Sequence, residues 1–559
     1  MVMVERILNF LNKETSGLHS AAYLLAFFAL LSQVLALIRD KLLALTFGAG
    51  PQLDLYYAAF RIPDFIFVTV GSIVSLSVLV PFLIERMRMG ESETRLYINS
   101  IFSFFLVTVL VACLVVFIFA SELLSFVFPG FPQGSFVTLV SLMRILLVSP
   151  ILLGVSSLFA GLSQSTNRFL VYGLSPVVYN IGIILGIIFL YPALGLPGLA
   201  FGVLIGALLH LLVQFPAVRK IGMFPRITLH PDFNLIKSTV VTSIPRTLAL
   251  SFNHLSILIL LSFASLLSVG SIAVFNLSLN LQSVPLSIIG VSYSLAAFPA
   301  LSRMFAGKDT EGFYIKLTIS LRHIIFWSLP FAVLFVVLRA HIVRIILGSG
   351  EFDWTDTRLT AAALAMFVIS VLFQSLNLLF IRGFYAMGNT RVPLFAGILS
   401  VFVTILSAQW LIGVFERIPV WRFFIEQLFK VSGLPGTEVL MLPLAYTLGS
   451  FVSCLVLWWL LERRRRFSRT VIPTLFQSLS ASVIMGFTIF LALRIFDNMF
   501  SLEHFWGLFA QASLSAVIGV TAGILVLVVL GNLEIKDIWR ILHQKFWKTK
   551  VVGPDPEVV

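Results

Sequence analysis

Residues 18–47 read LHSAAYLLAFFALLSQVLALIRDKLLALTF, an apolar stretch interrupted near its end by Arg39, Asp40 and Lys41. A helix needs roughly 20 apolar residues to cross a hydrocarbon core of about 30 Å. The stretch therefore predicts a membrane-spanning helix. A charged side chain inside such a helix costs about 2.5–3.5 kcal/mol on insertion scales, so it usually faces a wet cavity and marks function.

Similar stretches recur along the whole chain, which is 59% hydrophobic and only 11% charged, whereas about a quarter of the residues are charged in soluble domains. We predict an all-α polytopic membrane protein of about fourteen transmembrane helices. The predicted spans are 18–47, 53–84, 97–120, 136–160, 169–191, 196–218, 236–265, 271–301, 316–338, 359–381, 392–415, 437–461, 472–493 and 505–531. Because residues 1–16 carry Glu5, Arg6, Lys13 and Glu14 and show no cleavage site, we expect no removable signal peptide.

The distribution of positive charge predicts the orientation of the chain. Lys and Arg concentrate in alternate connections, most densely at Arg463–Arg466 and Arg469 after the twelfth span, while loops 48–52, 192–195 and 266–270 hold none. Since basic loops stay in the cytoplasm, both termini are predicted to be cytoplasmic. Membrane topology thus accounts for the net charge of +13, and we expect no nucleic-acid partner because no basic stripe interleaved with aromatic residues is present.

Two weak internal repeats divide the chain. Residues 70–87 of the second span are echoed by 289–304 of the eighth, and residues 159–168 by 384–391. The echoed helices differ by six positions and so share an orientation, which predicts two pseudo-symmetric six-helix lobes around a central cavity. The predicted division is a cytoplasmic N-terminal segment 1–17, N-lobe 18–218, cytoplasmic linker 219–235, C-lobe 236–461, two extra helices within 462–531 and a cytoplasmic tail 532–559.

Charged residues within the spans are the candidate site residues: Arg39, Asp40, Asp54, Arg61, Arg144 and Arg246. Two interpretations stay open. Asp54 and Arg61 share a helical face and Arg61 lies three residues before Asp64, so ion pairs could staple the helices together. Alternatively the cations line a cavity for an anion, and arginine suits phosphate because it is permanently charged and forked.

Uncharged polar residues and absent motifs reduce the number of functions that the chain could have. Asn180 and Asn280 are typical of residues that make interhelical hydrogen bonds. His210 and His254 are typical either of histidines packed between helices or of proton relays. Neither histidine has a second ligand at metal-binding spacing, and Cys113 and Cys454 lie in apolar runs. Without a phosphate-binding loop, ATP hydrolysis in this chain is not expected. No large soluble loop offers a catalytic centre, so we expect a transporter rather than an enzyme.

Several motifs together resemble one family. They include 47–50 (FGAG), 59–63 (AFRIP), 179–186 (YNIGIILG), 350–352 (GEF) and 384–393 (FYAMGNTRVP). In this combination, over roughly residues 20–530, the chain resembles the MurJ (MviN) lipid II flippases. The resemblance implies the fold of the multidrug/oligosaccharidyl-lipid/polysaccharide exporter superfamily, with Arg39, Asp40 and Asp54 matching charged positions of the family. It implies outward transfer of the undecaprenyl-pyrophosphate-linked peptidoglycan precursor by alternating access, for cell-wall biogenesis and cell shape.

Three departures bear on the substrate. Where the family commonly has charged residues, this chain has Gln33, Phe67-Val68 and, in the eighth span, Leu279-Asn280. Arg61, Arg144 and Arg246 are predicted to compensate in part, with Asn280 lining the cavity. The alternatives are a flippase for another polyprenyl-pyrophosphate glycan or a cation-coupled exporter. A membrane-embedded glycan polymerase or ligase should instead cluster Arg, His or Asp on an outer loop, and this chain does not.

The remaining expectations follow from the resemblance. We expect a monomer in the bacterial inner membrane that contacts membrane lipids and cell-wall synthesis proteins. No cofactor is expected with certainty, and the membrane potential or a monovalent cation could drive transport.

Overall fold

The computed structural model describes residues 18–71, 74, 76–501 and 504–547, and the side chains of a few residues within these ranges, including Arg246, lie outside the description. Helices account for nearly all of the described chain, and no strand occurs in it. The predicted segment 1–17 and residues 548–559 of the predicted tail lie outside the described residues.

The helices of the predicted N-lobe and linker follow one another with short connections. They are α1 (Leu18–Phe47), α2 (Pro51–Gly71), α3 (Leu76–Met89), α4 (Glu91–Ile118), α5 (Ala120–Val127), α6 (Gln133–Leu146), α7 (Val148–Ser165), α8 (Phe169–Leu185), α9 (Tyr191–Leu194), α10 (Leu196–Leu212) and α11 (Phe215–Ile221). A single π-helical turn, Gly186–Leu190, joins α8 to α9.

The remaining helices complete the chain. They are α12 (Phe233–Ser265), α13 (Ser271–Leu286), α14 (Ser292–Ala306), α15 (Thr310–Val337), α16 (Arg339–Ile346), α17 (Trp354–Ala386), α18 (Arg391–Arg417), α19 (Pro419–Phe429), α20 (Met441–Glu462), α21 (Ser468–Phe496), α22 (Phe505–Val529) and α23 (Leu533–Trp547). A second π-helical turn, Ser287–Val291, joins α13 to α14, and the 3-10 turn Thr437–Leu440 precedes α20.

The predicted fold class is confirmed. Within the described residues, 12 stretches are helical, long and apolar enough to cross a membrane. The two predicted spans outside that set, 53–84 and 236–265, are also helical: α2 and α3 cover the first and α12 the second. Charge explains why α2 is less apolar than the others, because it carries Asp54, Arg61 and Asp64.

The chain forms two compact units. The first contains the described residues up to Val284 together with Ile346–Phe367 and Asn389–Ser453, and the second contains Pro285–Ile345, Val368–Gly388 and the described residues from Cys454 onward. In the second unit, Arg322 of α15 donates to Glu534 of α23 at 2.6 Å, which fixes the last helix against the ninth predicted span. The division into two lobes of six helices remains a prediction.

Glycines allow two helices of the first unit to touch. A Cβ on Gly182 of α8 would lie 2.3 Å from the Cα of Gly206 on α10, and one on Gly186 would lie 2.4 Å from the Cα of Gly202. Real Cβ atoms never come so close, so only glycine fits these positions. Small residues spaced four apart are the usual means of close helix packing in membranes, where hydrophobicity does not drive helices together.

A group of loops meets at one end of the helices in the first unit, and we call it the loop cluster: residues 45–50, 268–273 and 349–356. Ala49 N donates to the Asp356 carboxylate at 2.8 Å, and Glu351 N donates to Leu45 O at 3.0 Å. Gly270 has a φ of 90°, and a Cβ there would lie 2.1 Å from Ala49 O. These contacts join the first connection of the chain to two loops of the predicted C-lobe.

Candidate substrate-binding site

Arg39 and Asp40 lie at the centre of a polar group that joins three helices. Arg39 donates through Nε and Nη2 to Asp40 Oδ1 at 3.0 and 2.8 Å, and through Nη1 to Asn180 Oδ1 of α8 at 3.3 Å. Asp40 Oδ2 accepts from Asn280 Nδ2 of α13 at 3.0 Å. Both residues come from an apolar helix, α1, so their polar groups are satisfied by one another and by amides of neighbouring helices.

The side chains of Arg39 and Asp40 differ in their exposure to solvent. The Asp40 side chain is buried, whereas 22% of the Arg39 side chain is exposed. In the structure Arg39 is held by a carboxylate and an amide. The structure thus brings the predicted site residues Arg39, Asp40 and Asn280 together and adds Asn180.

Arg61 of α2 has a neutral partner. Its Nη2 donates to Asn276 Oδ1 of α13, while its Nε is buried and has no hydrogen-bond partner in the part of the chain that the structure describes. No ion pair within bonding distance joins Arg61 to Asp54 or Asp64, although both of those residues are described. Arg61 therefore makes no direct ion pair with either carboxylate of its own helix, although the charge of Asp64 acts on it at longer range.

The two carboxylates expected near Arg61 have other partners. Asp54 is 6% exposed, and its two oxygens accept from the backbone N–H groups of Gly270 at 2.6 Å and Ala273 at 2.7 Å. It caps the N-terminus of α13, where a negative charge meets the positive end of the helix dipole. Asp64 Oδ2 lies 3.6 Å from His254 Nδ1 of α12. Neither carboxylate pairs with the arginine in its own helix.

Arg144 lies elsewhere in the first unit. It is exposed, its guanidinium stands over the Phe117 ring with 4.9 Å to the centroid, and its Nε donates to Phe117 O at 3.3 Å. It lines an open groove of about 550 Å³ between α4 and α6, and none of the other predicted site residues lines that groove. The structure does not bring Arg144 to Arg39 or Arg61. The Arg246 side chain lies outside the description, so its prediction is untested.

Sequence reasoning missed two members of the site. Asn276 was not singled out, although it lies four residues before Asn280 and therefore on the same face of α13. His254 was noted only as a packing residue or relay. The other histidine, His210, is a packing residue here, because its Nδ1 lies 2.7 Å from the Ser156 hydroxyl, which also accepts from Gln214 Nε2 at 2.6 Å. No group of three or more metal-binding side chains occurs among the described residues.

Comparison with known proteins shows the family of this chain. The family model described as "Lipid II flippase MurJ" matches residues 43–511, which is most of the chain. The chain belongs to the lipid II flippase MurJ family.

The individual relatives share a low sequence identity with this chain, but the matches cover most of the length of each relative. The chain is 28% identical to the lipid II flippase MurJ of Burkholderia cenocepacia over 68% of this chain and 75% of that one. It is 27% identical to a probable lipid II flippase MurJ of Buchnera aphidicola subsp. Schizaphis graminum, over 82% and 86% respectively.

Solved structures show the same fold. A lipid II flippase MurJ in an inward closed conformation matches with a TM-score of 0.72 and 20% identity, covering 93% of this chain and all of the other. An inward-facing multidrug resistance transporter of the MATE family and MOP superfamily matches with a TM-score of 0.62 and 14% identity, covering 78% and 96%. The fold is therefore that of the superfamily expected from the sequence.

Proposed function

We propose that this protein is a flippase that moves lipid II from the inner to the outer leaflet of the bacterial inner membrane for peptidoglycan synthesis. Membership of the MurJ family supports the proposal, and so does the charge distribution in the spans. The observation that carries it is Arg61, a cation inside a membrane-spanning segment whose described partner is the neutral Asn276. Such a cation is costly in lipid unless an anion or water meets it.

The two arginines would contribute differently to pyrophosphate binding. Arg61 makes no direct ion pair with a described carboxylate and can attract the substrate over a distance, whereas Arg39 is paired directly with Asp40. A pyrophosphate would have to compete with Asp40 for the Arg39 guanidinium, which offers planar pairs of N–H donors to phosphate oxygens. We therefore infer that Arg61 is the principal anion contact and Arg39 a second contact. Asp54 and Arg144 are left out of the proposed site because their contacts lie elsewhere.

Transport by alternating access requires one end of the cavity to open while the other is closed. The loop cluster, with Asp54 on the α13 N-terminus and Asp356 on Ala49 N, is the candidate for the closed outer end. The outer position follows from the predicted topology with both termini in the cytoplasm. We further propose a monomer, with the membrane potential or a monovalent cation as the driving force and cell-wall synthesis proteins as partners.

Two measurements test the function. The gene should restore growth to cells depleted of their own lipid II flippase, and purified protein should move lipid II across proteoliposome membranes. Arg61→Gln should abolish both activities without loss of protein from the membrane. Arg417→Gln is the matched control, because Arg417 is exposed in the last turn of α18, away from the site.

A second candidate function is favoured by one observation. Gln33, Phe67-Val68 and Asn280 replace charged residues that are common in the family, and Asn280 in this structure bonds to Asp40. A different cavity charge suits a different glycan on the same polyprenyl pyrophosphate. Transport of such a lipid by proteoliposomes that leave lipid II in place would establish this candidate and refute the first.

A further inference from the structure

Asp64 and His254 lie within ion-pair distance of each other, and the proposed substrate contacts do not use them. Asp64 lies on α2 and His254 on α12, their Oδ2 and Nδ1 atoms are 3.6 Å apart, and 34% of each side chain is exposed. The pair thus joins a helix of the predicted N-lobe to one of the predicted C-lobe. Unlike a pair made by arginine, it is an ion pair only while the histidine carries a proton.

Asp64 is also within reach of a second cation. Arg61 precedes it by three residues on α2, a spacing at which oppositely charged side chains of a helix can pair. In this structure the carboxylate is turned to His254, and Arg61 donates to Asn276 with its Nε unbonded among the described residues. One carboxylate therefore lies near both a permanent cation and a histidine.

We propose that Asp64 and His254 form a proton-binding site that controls the charge available at Arg61. When His254 carries a proton, it holds Asp64 on α12 and leaves Arg61 free for the anionic substrate. When the proton leaves to the aqueous medium, Asp64 is released to pair with Arg61 and neutralise it. One proton moves between the imidazole and water, and no other bond changes. The inference rests on the proposed function, because it needs an anion at Arg61.

Other titratable groups on the surrounding helices do not replace this pair. The helices that pack against α12 are α2, α3, α4 and α18. Besides Asp64 and His254, their titratable and charged residues, with those of α12 itself, are Asp54, Tyr56, Tyr57, Arg61, Glu85, Arg86, Arg88, Glu91, Glu93, Arg95, Tyr97, Cys113, Lys237, Arg246, Arg391, Glu416 and Arg417. Asp54 is bound to α13, the Tyr97 hydroxyl lies 3.3 Å from Thr239 Oγ1, and the charges of α3, α4 and α18 lie in their terminal turns. Arg61 is thus the described cation closest in sequence to Asp64.

The expected effect is modest and has a definite sign. A partly exposed ion pair contributes up to about 1 kcal/mol, which corresponds to about a fivefold change in an equilibrium constant. Because protonation frees Arg61, the apparent affinity for lipid II should be about fivefold higher near pH 5.5 than near pH 8.5.

The test is the apparent KM for lipid II in proteoliposomes with the same pH on both sides, varied between these values. His254→Gln cannot hold Asp64, so its KM should stay at the high value that wild type reaches in base. Asp64→Asn cannot neutralise Arg61, so its KM should stay at the low value that wild type reaches in acid. His210→Gln is the matched control and should keep the wild-type profile, because His210 bonds to Ser156 and to no carboxylate. A His254→Gln variant with the wild-type profile would refute the proposal.

A second measurement separates this inference from the function. A double-mutant cycle of His254→Asn with Asp64→Asn, read as the shift in Tm, should show coupling near pH 5.5 and none near pH 8.5. Wild-type protein that moves no lipid II at any pH would refute the proposed function, and the cycle would still test the pair. Coupling that is equal at both pH values would refute the proton site even if transport occurs.

Discussion

Asp54→Asn should release the loop cluster. Both carboxylate oxygens of Asp54 accept backbone N–H groups at the start of α13, from Gly270 at 2.6 Å and from Ala273 at 2.7 Å. Asparagine keeps one carbonyl oxygen for one of these donors and turns an NH₂ group toward the other. It also removes the negative charge that faces the N-terminus of the helix.

The magnitude follows from these contacts. A hydrogen bond to a charged group contributes about 1.5–3 kcal/mol, and an unsatisfied buried N–H costs about 1–3 kcal/mol. Because Asp54 is 6% exposed, water does not easily take the place of the lost acceptor. We expect the substitution to destabilise the conformation with joined loops by about 2–3 kcal/mol relative to one in which the loops are separated. At 1.4 kcal/mol for each factor of ten, the ratio of separated to joined loops rises about 30- to 150-fold.

The assay is the labelling rate of a cysteine at Ala49, whose carbonyl oxygen contacts Gly270. The two native cysteines, Cys113 and Cys454, are buried and would first be replaced by alanine. A membrane-impermeant maleimide added outside should label the Asp54→Asn protein much faster than its parent. Asp309→Asn is the matched control, because Asp309 lies outside the loop cluster and caps an exposed turn of α15 by accepting from Gly312 N at 2.8 Å. Equal labelling rates and an unchanged Tm for Asp54→Asn would refute the reasoning.

Three further outcomes are expected. Cysteine at the exposed Gln52 should react with the same reagent from outside and cysteine at Arg465 should not, since basic loops stay in the cytoplasm; the reverse pattern would overturn the topology. Arg39→Ala should abolish lipid II transport with the protein still inserted, and Arg39→Lys should restore only part of it because an ammonium group cannot make paired N–H contacts; full activity of the lysine variant would exclude forked recognition. Gly206→Leu should lower Tm by removing the close approach of α8 and α10, whereas Gly413→Leu, where a Cβ meets nothing within 4 Å, should leave Tm unchanged; equal Tm values for the two would refute the packing role.

The fold class was predictable because the signal is local. A span of about 20 apolar residues has few alternatives to a helix in lipid, where every backbone group needs an internal partner. This reasoning holds even for α2, whose Asp54, Arg61 and Asp64 weaken the apolar signal without ending the helix. The repeats were likewise predicted, and the resemblance to the family recognised, from the order of residues along the chain.

The roles of the charged residues were not predictable in the same way. Spacing along α2 suggested that Arg61 pairs with Asp54 or Asp64, because i, i+3 and i, i+7 positions share a face. In the structure Arg61 bonds to Asn276, Asp54 caps α13 and Asp64 meets His254, all on helices more than 180 residues away in sequence. Arg144 fitted the pattern of a cavity cation but lies beside Phe117 on an exposed surface.

The sequence by itself thus determined the helical and apolar character of the spans and the types of residue that could meet an anion, and it predicted the orientation. Tertiary structure decided which of those residues come together and which are neutralised. The reason is that helical periodicity fixes only the face on which a side chain lies, whereas its partner is chosen by whichever distant helix packs against that face. In lipid, an unpartnered polar group costs several kcal/mol, so that choice determines whether a charge is structural or free to bind a substrate.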